Sequence, residues 1–307
     1  MIPDVVVYVS SVANPHKHPR KTACLESFAI GVQQLGKHVL VERQGQYHPS
    51  QLAVILGWAT ASTKGGANIA LRKQIILEQQ RLGAHVMCID ASCFKYLDNH
   101  SSYLRYSIGG PYYDQANYAN HNSTADQWNC IKRDLGVDLY PEQNNNGHVL
   151  ICMQRDGGFS MKEINPILWL DQKIQQIRKH TNRPILIRPH PGTYQPKDLK
   201  DFVKYHRKPG ITVANPLTSR LTDNLKQAQS AVFFNSSASV AAVCAGVPVF
   251  VDDSSCVSWS VANTDIAMIN SPQRFDRTQW MYDLAAAHWT DQDGREGRIY
   301  QHFMPYL

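Results

Sequence analysis

The chain is 307 residues long, enough for two domains of ordinary size that each bury their own core. Hydrophobic residues make up 43% and charged residues 18% of it, a balance that excludes a largely disordered or fibrous chain and indicates a globular one. The formal charge of +6 is spread over both halves rather than gathered in one arm, so it suits an anionic partner such as a nucleotide without selecting one.

Val5 to Val9 is a short β-rich run, Arg20 to Leu35 carries apolar residues at helical spacing up to Gly36, and His38 to Glu42 reads as a second strand. Leu52 to Trp58 predicts a third strand and Thr60 to Asn68 a turn-rich loop. A helix over Leu71 to Arg81 then ends at Gly83, and a strand over Ala84 to Ile89 closes at Asp90. Pro141 to Gly147, the most polar stretch, reads as a linker between a domain over 1–140 and a second over 148–288.

Beyond the linker the alternation resumes, with strands expected at His148 to Met153, Pro184 to Arg188, Ile211 to Ala214, Ala231 to Asn235 and Pro248 to Val251. Helices are expected at Asn165 to His180, around Lys197 to Tyr205, at Thr218 to Gln229 and at Ser237 to Ala245. Residues 289–307 are expected to form a helical tail, with packing back on the first domain as one arrangement. Two consecutive α/β units predict a cleft with ligands at the carboxyl ends of both sheets.

The seven cysteines are odd in number and scattered without a C-x-x-C pair, which argues against a disulfide framework or a zinc site. The start of the chain has no basic region before its apolar run and no cleavage pattern, and no apolar run is long enough to span a bilayer. A cytoplasmic location without a membrane partner is the expectation, the host cytoplasm if a phage encodes the chain.

Three motifs carry chemistry. Ala231-Val-Phe-Phe-Asn-Ser-Ser-Ala-Ser239 puts a hydroxyl-rich turn between an apolar strand and a helix, where Asn235, Ser236, Ser237 and Ser239 either cap the helix or hold a diphosphate. In Ile185-Leu-Ile-Arg-Pro-His-Pro-Gly192, prolines stiffen the backbone around Arg188 and His190 at a strand end; arginine offers a planar fork for phosphate and histidine a ring donor. Gln154-Arg-Asp-Gly-Gly-Phe-Ser160 follows the first strand of the same half, and there Arg155 reaches toward a ligand or simply decorates a loop. Lys64-Gly65-Gly66 lacks the spacing of a nucleotide-binding P-loop, because the lysine precedes the glycines. No carboxylate cluster has metal-ligand spacing.

The Arg-Pro-His-Pro strand end, the Asn-Ser-Ser turn and Ala245-Gly-Val-Pro-Val249 together resemble the donor half of GT-B glycosyltransferases, and within them the capsule-polysaccharide and Kdo-type transferases. The resemblance covers roughly residues 148 to 255. It implies two Rossmann-like domains facing across a cleft and a nucleotide sugar such as UDP-glucose as co-substrate. The site residues it implies are Arg155, Arg188, His190, Asn235, Ser236, Ser237 and Ser239. One departure is that many GT-B enzymes carry a ribose-holding Glu on the helix after the turn, and Ser239 to Cys244 has none.

The first half, with Leu56-Gly-Trp-Ala-Thr-Ala-Ser-Thr-Lys-Gly-Gly-Ala-Asn68, a helix, then His85-Val-Met-Cys-Ile-Asp90, is similar in layout to phage DNA glycosyltransferases that modify hydroxymethylpyrimidines. That layout implies double-stranded DNA with hydroxymethylated bases as acceptor, Asp90 as the base of an inverting transfer, and Lys64, Gly65 and Gly66 in a cleft loop. Asp114 is the reserve base. No cofactor is expected for donor binding, with magnesium assisting release of the product nucleotide. Tyr103, Tyr106, Tyr112, Tyr113 and Trp128 either stack on an acceptor base or belong to the core. His16-Lys17-His18-Pro19-Arg20-Lys21 either touches acceptor phosphates or is a solvated loop. Three other readings are a surface-glycan acceptor, an inactive nucleotide-binding module and a nucleotide-sugar epimerase of similar architecture.

Overall fold

A computed structural model describes residues 2–96, 103–155, 159–192 and 200–307. The chain divides into two compact units, one formed by Met1–Ser92, His100–Asn129 and Tyr282–Leu307, the other by Cys93–Asn99 and Cys130–Met281.

In the first unit, strands β1 (Val5–Tyr8), β2 (Val39–Glu42), β3 (Leu52–Leu56) and β4 (His85–Ala91) run parallel, with α1 (Pro19–Gln34) and α2 (Ala67–Arg81) as crossovers. β1 is fully buried and apolar throughout, the pattern of a central strand covered on both faces. Its side chains divide by parity: Val5 and Val7 pack with Leu25 and Phe28 of α1, while Val6 and Tyr8 pack with Leu71 and Ile75 of α2. Two antiparallel strands absent from the sequence reading complete the sheet. These are β5 (Leu104–Ile108), beside β4, and β11 (His288–Trp289), beside β5, giving the order β11-β5-β4-β3-β1-β2.

α1 touches α9 (Asp291–Arg295) so closely that a Cβ at Gly31 would lie 2.0 Å from the Gly294 carbonyl oxygen. The following α10 (Arg298–Phe303) sends Ile299 and Phe303 into the α1 core. The 289–307 segment is thus a short strand end and two short helices within the first unit.

The second unit holds five parallel strands, β6 (His148–Cys152), β7 (Ile185–Arg188), β8 (Ile211–Val213), β9 (Ala228–Phe233) and β10 (Val249–Val251), in the order β10-β9-β6-β7-β8. The chain adds strands to one side of β6 and then crosses to the other, so strand order reverses between β6 and β9. At such a switch point the connections leave in opposite directions and open a crevice outside the carboxyl ends.

Its helices include α4 (Pro166–Arg178), α5 (Lys200–His206), α6 (Leu221–Leu225) and α7 (Ser239–Cys244), and the chain leaves it within α8 (Thr278–Ala286). α4 begins where the sequence says it should: Asn165 Oδ1 accepts from the N–H groups of Ile167 and Leu168, and Pro166 takes the first helical position. The expected helix over Thr218 to Gln229 is instead five residues long, because β9 already starts at Ala228.

The stretch 141–147 does not hang free as a linker. Tyr140 and Gln143 donate their main-chain N–H to Cys244 and Gly246 carbonyls, both at 2.8 Å, and Gln143 Nε2 donates to the Ala245 carbonyl at 2.6 Å. All of these residues lie in the second unit. The later passages between units fall inside α3 (Asp126–Leu135) and α8, whose apolar faces hide them from a search for polar loops.

Candidate functional site

A pocket of about 470 Å³ opens at the carboxyl ends of β6 and β7, beside the turn after β9. Cys152 and Met153 lie against it from β6, Arg188 and His190 from β7, and Ser236 and Ala238 from the turn. The opposite wall is the segment 216–222, with Thr218, Ser219, Arg220 and Thr222. No carboxylate is found among the described residues that line it. Two arginines and several hydroxyl-bearing residues along one volume give it a cationic, hydrogen-bonding lining.

Arg188 is aimed by its surroundings. Its Nη1 donates to Asn224 Oδ1 at 2.7 Å and to Ser219 Oγ at 3.1 Å, and its Nη2 donates to the Ser219 carbonyl at 3.0 Å. His190 Nδ1 accepts from the main-chain N–H of Gly192 at 2.9 Å, so in the neutral ring the proton sits on Nε2, which becomes a donor. A Cβ at Gly192 would stand 3.2 Å from that ring, which is why a glycine there keeps the contact open. Cys152 is buried, and burial pushes its thiol up to about 12, with the nearby Arg188 charge pulling weakly the other way. It is a neutral lining group and not a nucleophile.

The serine-rich turn contributes less than its composition suggests. Asn235 is buried, and its amide is consumed within the protein: Oδ1 accepts from Gln154 Nε2 at 2.7 Å, while Nδ2 donates to the Ser160 carbonyl at 2.8 Å and to Ser255 Oγ at 2.7 Å. Gln154 Oε1 accepts in return from the Asn235 main-chain N–H at 3.0 Å. Ser255 passes the network to Asp253, which pairs with Lys162 at 2.8 Å. Asn235 therefore ties together the loops after β6, β9 and β10 and is not a donor to ligand.

Ser239 is fully buried against Ser258 Oγ at 2.8 Å, so it too departs from the expected donor-binding role. Three amides of the turn point inward: Ala238 N–H donates to Ser236 Oγ at 3.2 Å, Ser239 N–H to the Ser236 carbonyl at 3.0 Å, and Val240 N–H to the Ser237 carbonyl at 3.2 Å. Of this turn, Ser236 lines the pocket, and its hydroxyl still has its own proton to donate. Ser237 is half-buried and does not line the pocket. Arg155 is exposed and outside the lining as well, and Asp156, Gly157 and Gly158 of its motif lie outside the described residues.

Arg220, Thr218 and Thr222 were not singled out from sequence. The run Thr218-Ser-Arg-Leu-Thr222 after Pro216 carries a signal of the right kind, hydroxyls and a cation just past a strand, but it is absorbed when 218–229 is read as one helix.

On the first unit, Asp90 sits at the carboxyl edge of β4. One oxygen binds Arg105 Nη2 at 2.7 Å, directly across the β4–β5 pair, and the other accepts the Ala91 N–H at 2.8 Å. Arg105 is 6% exposed, so the carboxylate compensates a nearly buried cation. Lys64, Gly65 and Gly66 are exposed in the loop before α2, with Gly66 as its N-cap. A Cβ at Gly65 would lie 2.5 Å from the Ile69 side chain, which gives that glycine a packing reason. Asp114 lies in an exposed turn. Tyr103, Tyr106 and Trp128 are core residues, which removes them as stacking platforms, while Tyr112 and Tyr113 are half-buried. His16, Lys17, His18, Arg20 and Lys21 are all exposed at the start of α1.

Among the described residues, no group of three or more His, Cys, Asp or Glu is arranged to hold a metal ion. No helix among them is long and apolar enough to cross a membrane. The cysteines are free thiols, all buried except the half-buried Cys130.

Two solved structures place the fold. The β-Kdo 2,4-transferase of Thermosulfurimonas dismutans KpsC is similar over 94% of this chain and 90% of its own, with 12% identity and a TM-score of 0.57. The β-Kdo 2,7-transferase of the same KpsC is similar over 97% of this chain and 99% of its own, with 14% identity and a TM-score of 0.52. At such identities the likeness establishes the architecture, a GT-B-type fold with two Rossmann-like units, and neither structure is a phage DNA glycosyltransferase. No protein-family model matches the chain, and no curated protein sequence does either.

Proposed function

We propose that this chain is a glycosyltransferase whose nucleotide-activated sugar donor places its phosphate in the pocket of the second unit. The observation that carries the reading is the meeting of Arg188, Arg220, His190 and Ser236 on one volume beside a switch point, with no carboxylate among the described lining residues. Glycosyl transfer breaks the bond between the anomeric carbon and a phosphate oxygen, so negative charge grows on the leaving phosphate. Fixed guanidinium groups and hydroxyls lower that barrier because they are already oriented when the charge appears. The attacking hydroxyl must give up a proton, and Asp90 on the first unit is the proposed acceptor of it.

A panel of nucleoside mono- and diphosphates and inorganic pyrophosphate tests the donor site by thermal shift. A ligand at 100 times its dissociation constant stabilises by about 2.7 kcal/mol, and Arg188→Ala should cut that gain by about half or more. If no phosphate compound raises the melting point of the wild type, the donor reading fails.

For the acceptor, the layout of the first half supports a hydroxymethylpyrimidine in duplex DNA. The Kdo transfer named for the two KpsC structures of similar fold supports a sugar hydroxyl, such as one of a surface polysaccharide. Incubation with labelled UDP-glucose and other nucleotide sugars, offering hydroxymethylated DNA, unmodified DNA and glycan primers in parallel, assigns the acceptor by which one gains label. Absence of transfer together with tight nucleotide binding would favour an inactive binding module.

A further inference from the structure

One short segment supplies three acceptor contacts to the Arg188 guanidinium. Ser219, which accepts from it through both Oγ and its carbonyl, is itself fixed by donating Oγ to the Asn215 carbonyl at 2.8 Å and its main-chain N–H to the same oxygen at 3.0 Å. Asn224, the third acceptor, is anchored from the other side, since His148 Nε2 at the start of β6 lies 3.0 Å from its carbonyl oxygen. Burial lowers the pKa of His148, so that ring is neutral and donates through Nε2–H. The side-chain contact from Asn224 to Nη1, at 2.7 Å, is the shortest of the three.

We infer that Asn224 is a positioning residue for phosphate binding: with Ser219 it fixes the plane of the Arg188 guanidinium before the ligand arrives. Being an amide, it does so without contributing a negative charge. A carboxylate of the same shape in this place would hold the guanidinium equally well but compete electrostatically with a phosphate for it. The identity of residue 224 thus separates two requirements, orientation and charge, that an acid would set against each other. The inference rests on the donor reading above.

Four variants test it: Asn224→Asp, Asn224→Ala, Ser219→Ala and Arg188→Ala, with Arg188→Ala/Asn224→Asp as the double. Calorimetric titration with inorganic pyrophosphate gives affinity, and thermal denaturation checks the fold. Asn224→Asp, near-isosteric, should melt within a few degrees of wild type yet bind pyrophosphate about tenfold more weakly or worse. Asn224→Ala should lose roughly fivefold, and Ser219→Ala less, because the Ser219 carbonyl remains.

In the Arg188→Ala background, Asn224→Asp should change affinity by no more than about twofold, since the residue it acts through is gone. An equal loss in both backgrounds would mean that the added charge acts on the site at large, which overturns the inference. Wild-type affinity in both Asn224 variants, with a clear loss in Arg188→Ala, overturns it while sparing the donor reading. Unchanged affinity in Arg188→Ala sinks the donor reading itself.

Discussion

Asp90→Ala separates the structural duty of that carboxylate from a catalytic one. Arg105, whose side chain is 7% exposed, is paired with Asp90 at 2.7 Å across neighbouring antiparallel strands. Removing one partner of a buried pair costs about 3–5 kcal/mol, because the remaining charge is left in a poor solvent. The Asp90 side chain is 34% exposed, so water reaches its place and lowers the expected cost to about 2–3 kcal/mol. For units of this size each kcal/mol moves the melting point by about 2–4 °C, which gives a fall of roughly 4–12 °C.

Arg105→Leu on top of Asp90→Ala should restore most of the loss, since a buried pair replaced by apolar groups is often close to neutral. Calorimetry and circular dichroism measure this, with the two units allowed separate transitions. The rescued double variant then reports on catalysis in a stable protein. If Asp90 is the base, turnover stays down by about 100-fold or more despite the recovered melting point. If the pair is its whole duty, turnover returns with stability. Should Asp90→Ala melt within about 1 °C of wild type, the argument that Arg105 depends on it is refuted.

Three further outcomes follow from packing and charge. Asp252 accepts from Lys173 Nζ at 2.7 Å and from Trp169 Nε1 at 2.6 Å, and the Lys173 side chain is 8% exposed. Asp252→Ala should therefore cost about 3 kcal/mol by denaturant titration, and Lys173→Met should recover much of it. Gly31→Ala drives a methyl against the Gly294 carbonyl and the Gly297 nitrogen, 2.0 and 2.5 Å from the ideal Cβ, and since neither is a flexible side-chain end the loss should reach about 3 kcal/mol.

Acid should weaken the first unit through His288, whose pKa burial holds down at about 3 while the unfolded chain titrates near 6.5. Protonation then favours the unfolded chain, so this stability is complete above about pH 6.5 and is lost as pH falls toward 3, by up to about 1.4 kcal/mol per pH unit. His302 is lowered in the same sense by burial. Urea midpoints measured from pH 7 to pH 4 should fall accordingly, and a flat profile would contradict the buried, neutral state of His288.

The parallel strands were legible where burial on both faces demands unbroken apolar runs, as at Val5–Tyr8 and Ala231–Phe233, while the polar Gln229 and Ser230 hid the start of β9. The antiparallel additions were not. Leu104–Ile108 carries Arg105 and Ser107 between its apolar residues and reads as surface, although Arg105 and Ser107 are both buried. Its signal is a cross-strand partner 15 positions away, which a local pattern cannot contain. β11 is two residues long, too short for any periodicity.

The candidate site divides along a line that is also physical. Both the Arg-Pro-His-Pro segment and the Asn-Ser-Ser turn lie at carboxyl ends of parallel strands, and the sequence offered both as phosphate ligands. In the fold, side chains with reach, Arg188, His190 and Arg220, line the pocket, whereas short ones, Asn235 and Ser239, are consumed by neighbours close to their own backbone. A short polar side chain at a strand end stands among unsatisfied backbone groups and polar loops, and leaving any of them unpaired in a buried place costs more than ligand binding would return. Whether such a residue is spent internally depends on partners such as Gln154, which lies 81 positions from Asn235, so composition alone cannot decide it. Length does not decide it either: short Ser236 lines the pocket, and the long Arg188 side chain is itself bonded to Ser219 and Asn224, so a phosphate reading of this fold rests on how those bonds aim the guanidinium.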